Sequence, residues 1–283
     1  MSTETVTVTG DADTIPPEPP RARFSPSRVI VPLITGAIFI GLWALTAEVF
    51  YDDREFLLPP PQDVWQAGVD NIEHLLRSTW NTFTEAGVGF VVAAVLAVIA
   101  AAIMGQSRLL TRSLYPYAVI LQTVPVIATA PIVVLIYRYS RTSIVIIAVL
   151  VSFFPVFSNT LAGLVSTDRD MLDLFRLRGV GRFKTLWKLR LPSALPHIAT
   201  GLRISAGMSV IGAMVGEFLI GQGGRRGGLG VAIIISQAQL KTARLFAEAA
   251  MATLLGIVVF LAVGGASKLA LRNWHESAVP TEE

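Results

Sequence analysis

Long stretches without a charged side chain are the feature that most constrains how this chain folds. Five of them cover residues 29–47, 86–107, 113–137, 142–167 and 249–267. Each is near the ~20 residues that an α-helix needs to cross a bilayer. A sixth stretch, between Arg203 and Glu217, is shorter but extends in both directions through apolar residues. The sequence therefore predicts an all-α integral membrane protein with six transmembrane helices.

Composition supports the membrane class and excludes several others. Of the 283 residues, 53% are hydrophobic and only 15% are charged, which is unlike a soluble domain. The chain has no cysteine, so disulfides and thiolate metal sites are excluded, and its three histidines are too far apart for a local metal motif. The net charge of +3 is typical of basic cytoplasmic loops, and we expect no nucleic-acid partner.

The distribution of cations predicts the orientation. Residues 1–28 are polar and proline-rich, lack a secretory signal and are expected to form a disordered cytoplasmic tail. Arg21, Arg23 and Arg28 lie next to the first span, and most other cations, Arg203 among them, then fall on the inner side. Residues 29–272 form the membrane domain, and residues 273–283 are a second cytoplasmic tail.

Small residues recur every four positions in two spans, and close helix packing is the favoured interpretation. The second span has Gly89, Ala93, Ala97, Ala101 and Gly105, and the fifth has Gly201, Ser205, Ser209 and Ala213. Before the second span, three consecutive prolines precede residues 64–80, which form either an amphipathic surface helix or a plain loop.

Polar residues and prolines inside the spans are candidates for the wall of a solute pathway. Pro125 and Pro131 should bend the third span, near Gln122 and Thr123. Packing alone is an equally good explanation. Ser209 and Glu217 on the fifth span complete this set of pathway candidates.

Acidic residues of the spans are expected to differ in depth. Glu217 lies in an apolar zone toward the outer side, where it serves either interhelical hydrogen bonding or a gate. The first of these roles is slightly favoured. Glu85 and Glu248 are expected to reach water or headgroups at the span edges.

Motifs for chemistry are not present. GVGRFKT has Phe183 where a phosphate-binding loop needs a glycine directly before Lys184, and no serine, histidine and acid grouping is suggested. The glycine-rich residues 221–230 are expected to form a flexible outer loop. The sequence predicts no catalytic residue, no metal site and no cofactor in this chain.

A basic segment, residues 173–196, interrupts the apolar runs. Its apolar and basic residues are interleaved, which predicts two short amphipathic helices that break at Gly179-Val180-Gly181. Leu191-Pro192 and Pro196 are expected to end it before the fifth span. Such a helix pair could either dock on a soluble partner or rest on anionic membrane lipid.

The spacing within this segment resembles a known family. Asp173-Leu174-Phe175, three residues, Gly179, nine residues and then Leu189-x-Leu191-Pro192 is similar to the cytoplasmic signature E-A-A, three residues, G, nine residues, I-x-L-P. That signature is typical of binding-protein-dependent ABC importer permeases. FLLPPPQDVWQA, LQTVPVIATAPIVVL, SFFPVFSNTLAGL and GEFLIGQGG also resemble the nitrate, sulfonate and taurine branch.

The resemblance implies a transport subunit rather than an enzyme. It implies the type I importer permease fold in the prokaryotic inner membrane, a second permease copy, an ATPase that holds ATP and Mg²⁺, and an external solute-binding protein. Transport by alternating access would carry a sulfonate, taurine, nitrate or vitamin precursor. Within the coupling segment, residues 168–196, the implied contacts to the ATPase are Asp173, Leu174, Phe175, Gly179, Arg182, Leu191 and Pro192.

Two other classes of function compete with this one. An ion-coupled secondary transporter would ordinarily show an internal repeat and a carboxylate at the membrane centre, and the sequence indicates neither. A membrane assembly protein would explain the spans but not the glycine-spaced basic segment. With Arg203 placed on the inner side, no Arg or Lys lies inside the membrane, and the sequence gives no strong argument for an anionic solute.

Overall fold

Helices account for the architecture of the chain. The computed structural model describes residues 27–50, 57–123, 125–220 and 227–272, and these contain helices and no strand. The eleven α-helices are α1 Ser27–Phe50, α2 Pro61–Asp70, α3 Ile72–Gly105, α4 Arg108–Thr123, α5 Val126–Tyr137, α6 Arg141–Val165, α7 Arg169–Leu177, α8 Arg182–Thr185, α9 Leu191–Ile220, α10 Leu229–Ala238 and α11 Thr242–Leu271. The prediction of an all-α fold is confirmed. The predicted tail before residue 27, the tail at 273–283 and most of the glycine-rich loop lie outside the described residues.

Five of the described helices are long and apolar enough to cross a membrane. They are α1, α3, α6, α11 and the helix that contains α9. The predicted third span differs, because two shorter helices, α4 and α5, take its place. Pro125 adopts an extended conformation (φ −65°, ψ 117°) and directly precedes α5. A proline supplies no backbone N–H, so it fits the start of a helix and not its interior. The predicted bend is therefore a break, whereas Pro131 is retained inside α5.

Small residues bring α3 and α9 against α6, as the four-residue spacing predicts. A Cβ added at Gly89 on α3 would lie 2.6 Å from the Cβ of Ala148, and one added at Gly201 on α9 would lie 2.9 Å from the carbonyl oxygen of Pro155. No side chain larger than hydrogen fits at either glycine. The packing interpretation of both small-residue stripes is confirmed.

Contacts along α6 and α9 fix their relative depth. A Cβ added at Gly201 of α9 would lie 3.1 Å from the Cα of Val156 of α6. One turn further, the Ser205 hydroxyl donates to the carbonyl of Ser152 at 2.7 Å. The two helices therefore run antiparallel, and the residues between Gly201 and Ser205 are level with the middle of α6.

The basic segment does not end at its prolines. Residues Arg182–Leu219 form one helix of 38 residues, with Pro192 and Pro196 inside it. A π-helical turn, Leu186–Arg190, directly precedes α9, and the Leu191 N–H donates to the carbonyl of Leu186. Pro192 has no N–H to donate in the regular α-helical pattern, and the π-helical turn before it, with its i→i+5 hydrogen bonds, tolerates this. The expected break before the fifth span is therefore wrong.

The segment after the three prolines is helical. Pro60 is the N-cap of α2 and Pro61 is its first residue, a position where the missing N–H has no helical partner anyway. One residue separates α2 from α3, which then continues as a membrane helix. Residues 64–80 are therefore helical rather than a plain loop, but they do not form one surface helix, because residues 72–80 belong to the membrane helix α3. Val64 of α2 is buried.

Candidate functional site

A projecting helix–turn–helix, here called the knob (residues 169–190), stands at one end of the bundle. The Asp168 side chain caps its first helix, α7, by accepting the N–H of Asp170 at 2.8 Å. After α7 the chain turns at Gly179, which has φ +66°, and the Val180 N–H donates to the carbonyl of Phe175 at 3.0 Å. Only glycine adopts this conformation without strain. The predicted glycine break is therefore a tight left-handed turn.

Large apolar side chains lie on the surface of the knob. Leu177, Phe183 and Trp187 are 86%, 68% and 59% exposed, and α7 has no buried residue. Contiguous apolar surface next to charged residues is typical of a protein interface. Of the predicted coupling residues, Asp173, Leu174, Gly179 and Arg182 are exposed, while Phe175, Leu191 and Pro192 are half-buried.

Arg190 connects the knob to the bundle, and sequence reasoning gave it no role. Its guanidinium donates to the carbonyl of Gly105, the last residue of α3. Leu186 is buried in the cluster that contains Leu164 of α6. A cavity of about 510 Å³ lies between the knob and the end of α3, and Arg176 and Arg182 contribute to its lining. The knob is thus fixed to the membrane helices at its base.

The opposite end of the bundle holds three buried glutamates, here called the acid layer (Glu85, Glu217 and Glu248). Glu217 is fully buried. Its Oε1 accepts the Thr82 hydroxyl at 2.8 Å, and its Oε2 accepts the Gly230 N–H at 2.6 Å. Thr82 in turn accepts the Leu229 N–H at 2.8 Å. Of the two predicted roles of Glu217, the structure shows the interhelical hydrogen bonds.

Close approach to Glu217 explains the glycines at the start of α10. A Cβ at Gly228 would collide with Oε1 of Glu217, and one at Gly230 would lie 2.8 Å from its Cβ. This part of the sequence was expected to be a flexible loop. From residue 227 onward that prediction is wrong, because Gly227 and Gly228 lead directly into a helix whose first N–H groups are bound by other helices.

The other two glutamates of the acid layer are also buried, which corrects the prediction that they reach water or headgroups. Glu85 is 3% exposed and Glu248 is 0% exposed. Oε1 of Glu85 accepts Nε of Arg141 at 2.9 Å, and Oε1 of Glu248 accepts Nε of Arg244 at 3.0 Å. The paired guanidinium charges make burial of these carboxylates possible. The sequence does not reveal the pair of Glu85 with Arg141, whereas Arg244 and Glu248 are four residues apart on one helix.

The predicted pathway residues whose side chains the structure describes do not share one surface. Thr123 and Pro125 are exposed at the junction of α4 and α5, and the Thr123 hydroxyl donates to Ile120 of its own helix. Ser209 is buried and donates to the carbonyl of Ala206. Glu217 is buried in the acid layer. Gln122 lies in α4, and its side chain is outside the described residues.

Arg203 does not lie at the inner edge of a span, where the sequence predicts it. It lies inside α9, between Gly201 and Ser205, which are level with the middle of α6. Its guanidinium carbon is 4.4 Å from the centroid of the Phe260 ring of α11. The prediction that no cation lies inside the membrane helices is therefore wrong.

Five helices long and apolar enough to cross a membrane, with a knob fixed to their base, are typical of a multi-pass membrane protein. The chain belongs to the family of binding-protein-dependent transport system inner membrane components, whose sequence pattern matches residues 93–270. It is accordingly an inner-membrane permease subunit of an ABC importer and not an enzyme. ATPase and solute-binding partners follow from this membership.

Individual relatives cover most of the chain. It is 34% identical over 237 residues to a formylaminopyrimidine transport permease protein of Halalkalibacterium halodurans, covering 83% of this chain and 92% of the relative. It is 30% identical over 236 residues to a probable ABC transporter permease protein of Haemophilus influenzae, with 83% and 94% covered. A riboflavin transport system permease protein of Chloroflexus aurantiacus is 31% identical over 226 residues, with 78% and 82% covered.

Proposed function

We propose that this chain forms the translocation pathway of an importer that ATP hydrolysis drives by alternating access. The observation that carries the proposal is the continuity of the knob with a membrane helix, since residues 182–219 form one helix. A movement imposed on the knob is therefore transmitted into the membrane without an intervening loop. ATP and Mg²⁺ bind to the separate ATPase, and the chain itself needs no cofactor.

The orientation we propose places the knob in the cytoplasm and the acid layer at the outer side. The knob carries Arg169, Arg176, Arg178, Arg182, Lys184, Lys188 and Arg190. Such an excess of cations is typical of cytoplasmic segments. The helix α1 then starts on the inner side, which leaves the N-terminus in the cytoplasm.

The contact with the ATPase is proposed for the exposed part of the knob. Leu174 and Phe175 would enter a groove of the ATPase, while Asp173 and Arg182 meet charges at its rim. Gly179 sets the angle of the turn, and Leu191 and Pro192 join the contact to α9. A second copy of the permease would supply the other half of the pathway, as the two ATPase subunits require two knobs.

For the solute, we propose a small polar compound of the sulfonate, taurine, nitrate or vitamin-precursor class. The names of two relatives, for formylaminopyrimidine and for riboflavin, favour the vitamin-precursor end of this range. The external solute-binding protein would select the solute before it reaches the permease. Binding measurements on that protein with compounds of each class identify the solute.

The test of the proposed function is uptake by proteoliposomes that contain the permease with its ATPase and its solute-binding protein. We expect uptake only when ATP is supplied on the ATPase side. The matched control replaces ATP with a non-hydrolysable analogue, which should stop uptake. Uptake that is driven by a proton or sodium gradient without the ATPase would contradict the proposal and support the ion-coupled transporter.

A further inference from the structure

Arg203 lies at the middle of the membrane helices. Its neighbours in α9 fix its depth, because Gly201 packs on Val156 and Ser205 bonds to Ser152. These two residues of α6 bracket the midpoint of a 25-residue span, Arg141–Val165. A helix of this length is close to what the hydrocarbon core requires. Arg203 is therefore near the centre of the bilayer.

The Arg203 side chain is exposed and meets an aromatic ring rather than an acid. None of the four ion pairs among the described residues includes it. Its guanidinium carbon stands over the Phe260 ring at 4.4 Å, a cation–π arrangement. Gly264 makes room for the side chain, since a Cβ there would lie 3.1 Å from Nε of Arg203.

This position makes contact with lipid tails energetically unfavourable. A guanidinium at the bilayer centre is costly unless it faces protein or a water-filled cavity. Half of the hydrocarbon core measures ~15 Å, whereas an arginine side chain spans only ~7 Å, so snorkelling to the headgroups does not solve the problem. The side chain also packs along Gly264 and Phe260 of the neighbouring helix, which fixes its charge at this depth.

We propose that Arg203 lines the aqueous translocation pathway and is the residue that contacts the solute halfway across the membrane. A guanidinium donates several hydrogen bonds in a planar fork. It therefore fits a solute with an oxygen acceptor group, such as a sulfonate, a nitrate or the carbonyl of a heteroaromatic ring. Phe260 offers an apolar face beside it. This inference rests on the proposed function only in taking the chain as the solute pathway.

Accessibility to water is the first test, and the absence of cysteine from the sequence makes it direct. In the assembled importer, Arg203→Cys is treated with a charged, membrane-impermeant methanethiosulfonate reagent. The matched control is Val95→Cys on α3, where the side chain is 53% exposed. Val95 is at a similar depth, because it lies between Gly89, which is level with Ala148 of α6, and Gly105, which is level with Leu164. We expect labelling at position 203 and none at position 95. An unreactive cysteine at 203 would mean contact with lipid or a second protein copy and would overturn the inference.

The charge of the pathway is the second test. Thr200 is exposed on α9, one turn from Arg203. The variant Thr200→Cys reports the local electrostatic potential, because its relative rates of reaction with an anionic and a cationic reagent depend on nearby charge. The ratio of the reaction rates with anionic sulfonatoethyl and cationic trimethylammonioethyl methanethiosulfonate should fall about tenfold when Arg203→Gln is added, the low end of charge focusing in a cleft. Arg203→Lys should preserve the ratio. An unchanged ratio in Arg203→Gln would contradict a cationic pathway.

Transport kinetics separate this inference from the proposed function. In proteoliposomes, Arg203→Gln should lower kcat about tenfold with KM unchanged, because the solute-binding protein sets KM and the pathway sets the rate. Arg203→Lys should restore part of kcat. Loss of ATP dependence in the unsubstituted importer would refute the proposed function, but the labelling experiments would still decide the position of Arg203. Normal kcat in Arg203→Gln would refute the solute contact alone.

Discussion

The Thr82 hydroxyl donates to Oε1 of Glu217 at 2.8 Å and accepts the N–H of Leu229 at 2.8 Å. Through this relay, two membrane helices hold the first turn of α10. The N-cap residue of α10, Gly228, has no side chain with which to cap it. The first N–H groups of a helix need acceptors, and here Thr82 and Glu217 supply them from α3 and α9. The acid layer thus contains the cap of a neighbouring helix.

Replacement of Thr82 with valine tests this relay at constant shape. Valine keeps the volume but leaves the Leu229 N–H and one oxygen of Glu217 without partners. We expect the free energy of unfolding to fall by about 1–3 kcal/mol, visible as a lower Tm in detergent. Thr79→Val is the matched control, since the Thr79 hydroxyl bonds only to its own helix at Leu75. Equal loss in both variants would contradict the relay.

Variants at Glu217 should differ in thermal stability in a defined order. In Glu217→Gln, the amide oxygen can still accept the Gly230 N–H, and the amide nitrogen can donate to Thr82 if that hydroxyl turns to the Ser78 carbonyl, 3.2 Å away. Glu217→Leu has no acceptor and leaves buried N–H groups unsatisfied, at about 1–3 kcal/mol for each. The unfolding temperature should be highest for the native protein, lower for Glu217→Gln and lowest for Glu217→Leu. A leucine variant as stable as the glutamine variant would contradict the capping role.

Gly228 should tolerate no side chain. An added Cβ collides with the Glu217 carboxylate, so Gly228→Ala must displace either the carboxylate or the start of α10. We expect a loss of about 1–3 kcal/mol, as for other overpacked sites, measured by thermal unfolding. The control is Gly256→Ala in α11, where no heavy atom lies within 4 Å of the added Cβ. That variant should unfold at or above the native temperature.

Gly179 should govern coupling rather than membrane insertion. Its φ of +66° costs an alanine or a valine about 1–2 kcal/mol, and relief of that strain would change the angle of the knob. Gly179→Val should abolish uptake and weaken co-purification of the ATPase while the protein still inserts. Gly179→Asn should retain more function, since asparagine tolerates this conformation.

Gly181→Ala is the control for the Gly179 series. Gly181 has φ −64° and nothing lies within 4 Å of an added Cβ. Normal uptake by a correctly inserted Gly179→Val variant would contradict the coupling role of the turn.

Features that depend on local spacing could be predicted from the sequence. The four-residue stripe that includes Gly89 identifies a packing face, because helix geometry places such residues in line. The turn at Gly179 follows from two glycines between amphipathic segments. The knob was identified on the same basis, from charges that alternate with apolar residues.

Features that depend on which helices become neighbours could not be predicted. The sequence places Arg203 at the inner edge of a span, because a hydropathy pattern carries no information about depth. Glu85 and Glu248 were expected at the surface, since their burial depends on Arg141 and Arg244, and only the packing reveals the first of these pairs. Pro192 was expected to stop a helix, but a π-helical turn beside it removes that constraint.

The single helix of 38 residues from Arg182 to Leu219 is ~57 Å long at ~1.5 Å per residue. It reaches from the knob past Arg203 to Glu217. For such a length, each degree of tilt about one end displaces the other by ~1 Å. A rotation of a few degrees about the knob end would therefore displace Glu217, near the other end of the helix, by about as many ångströms.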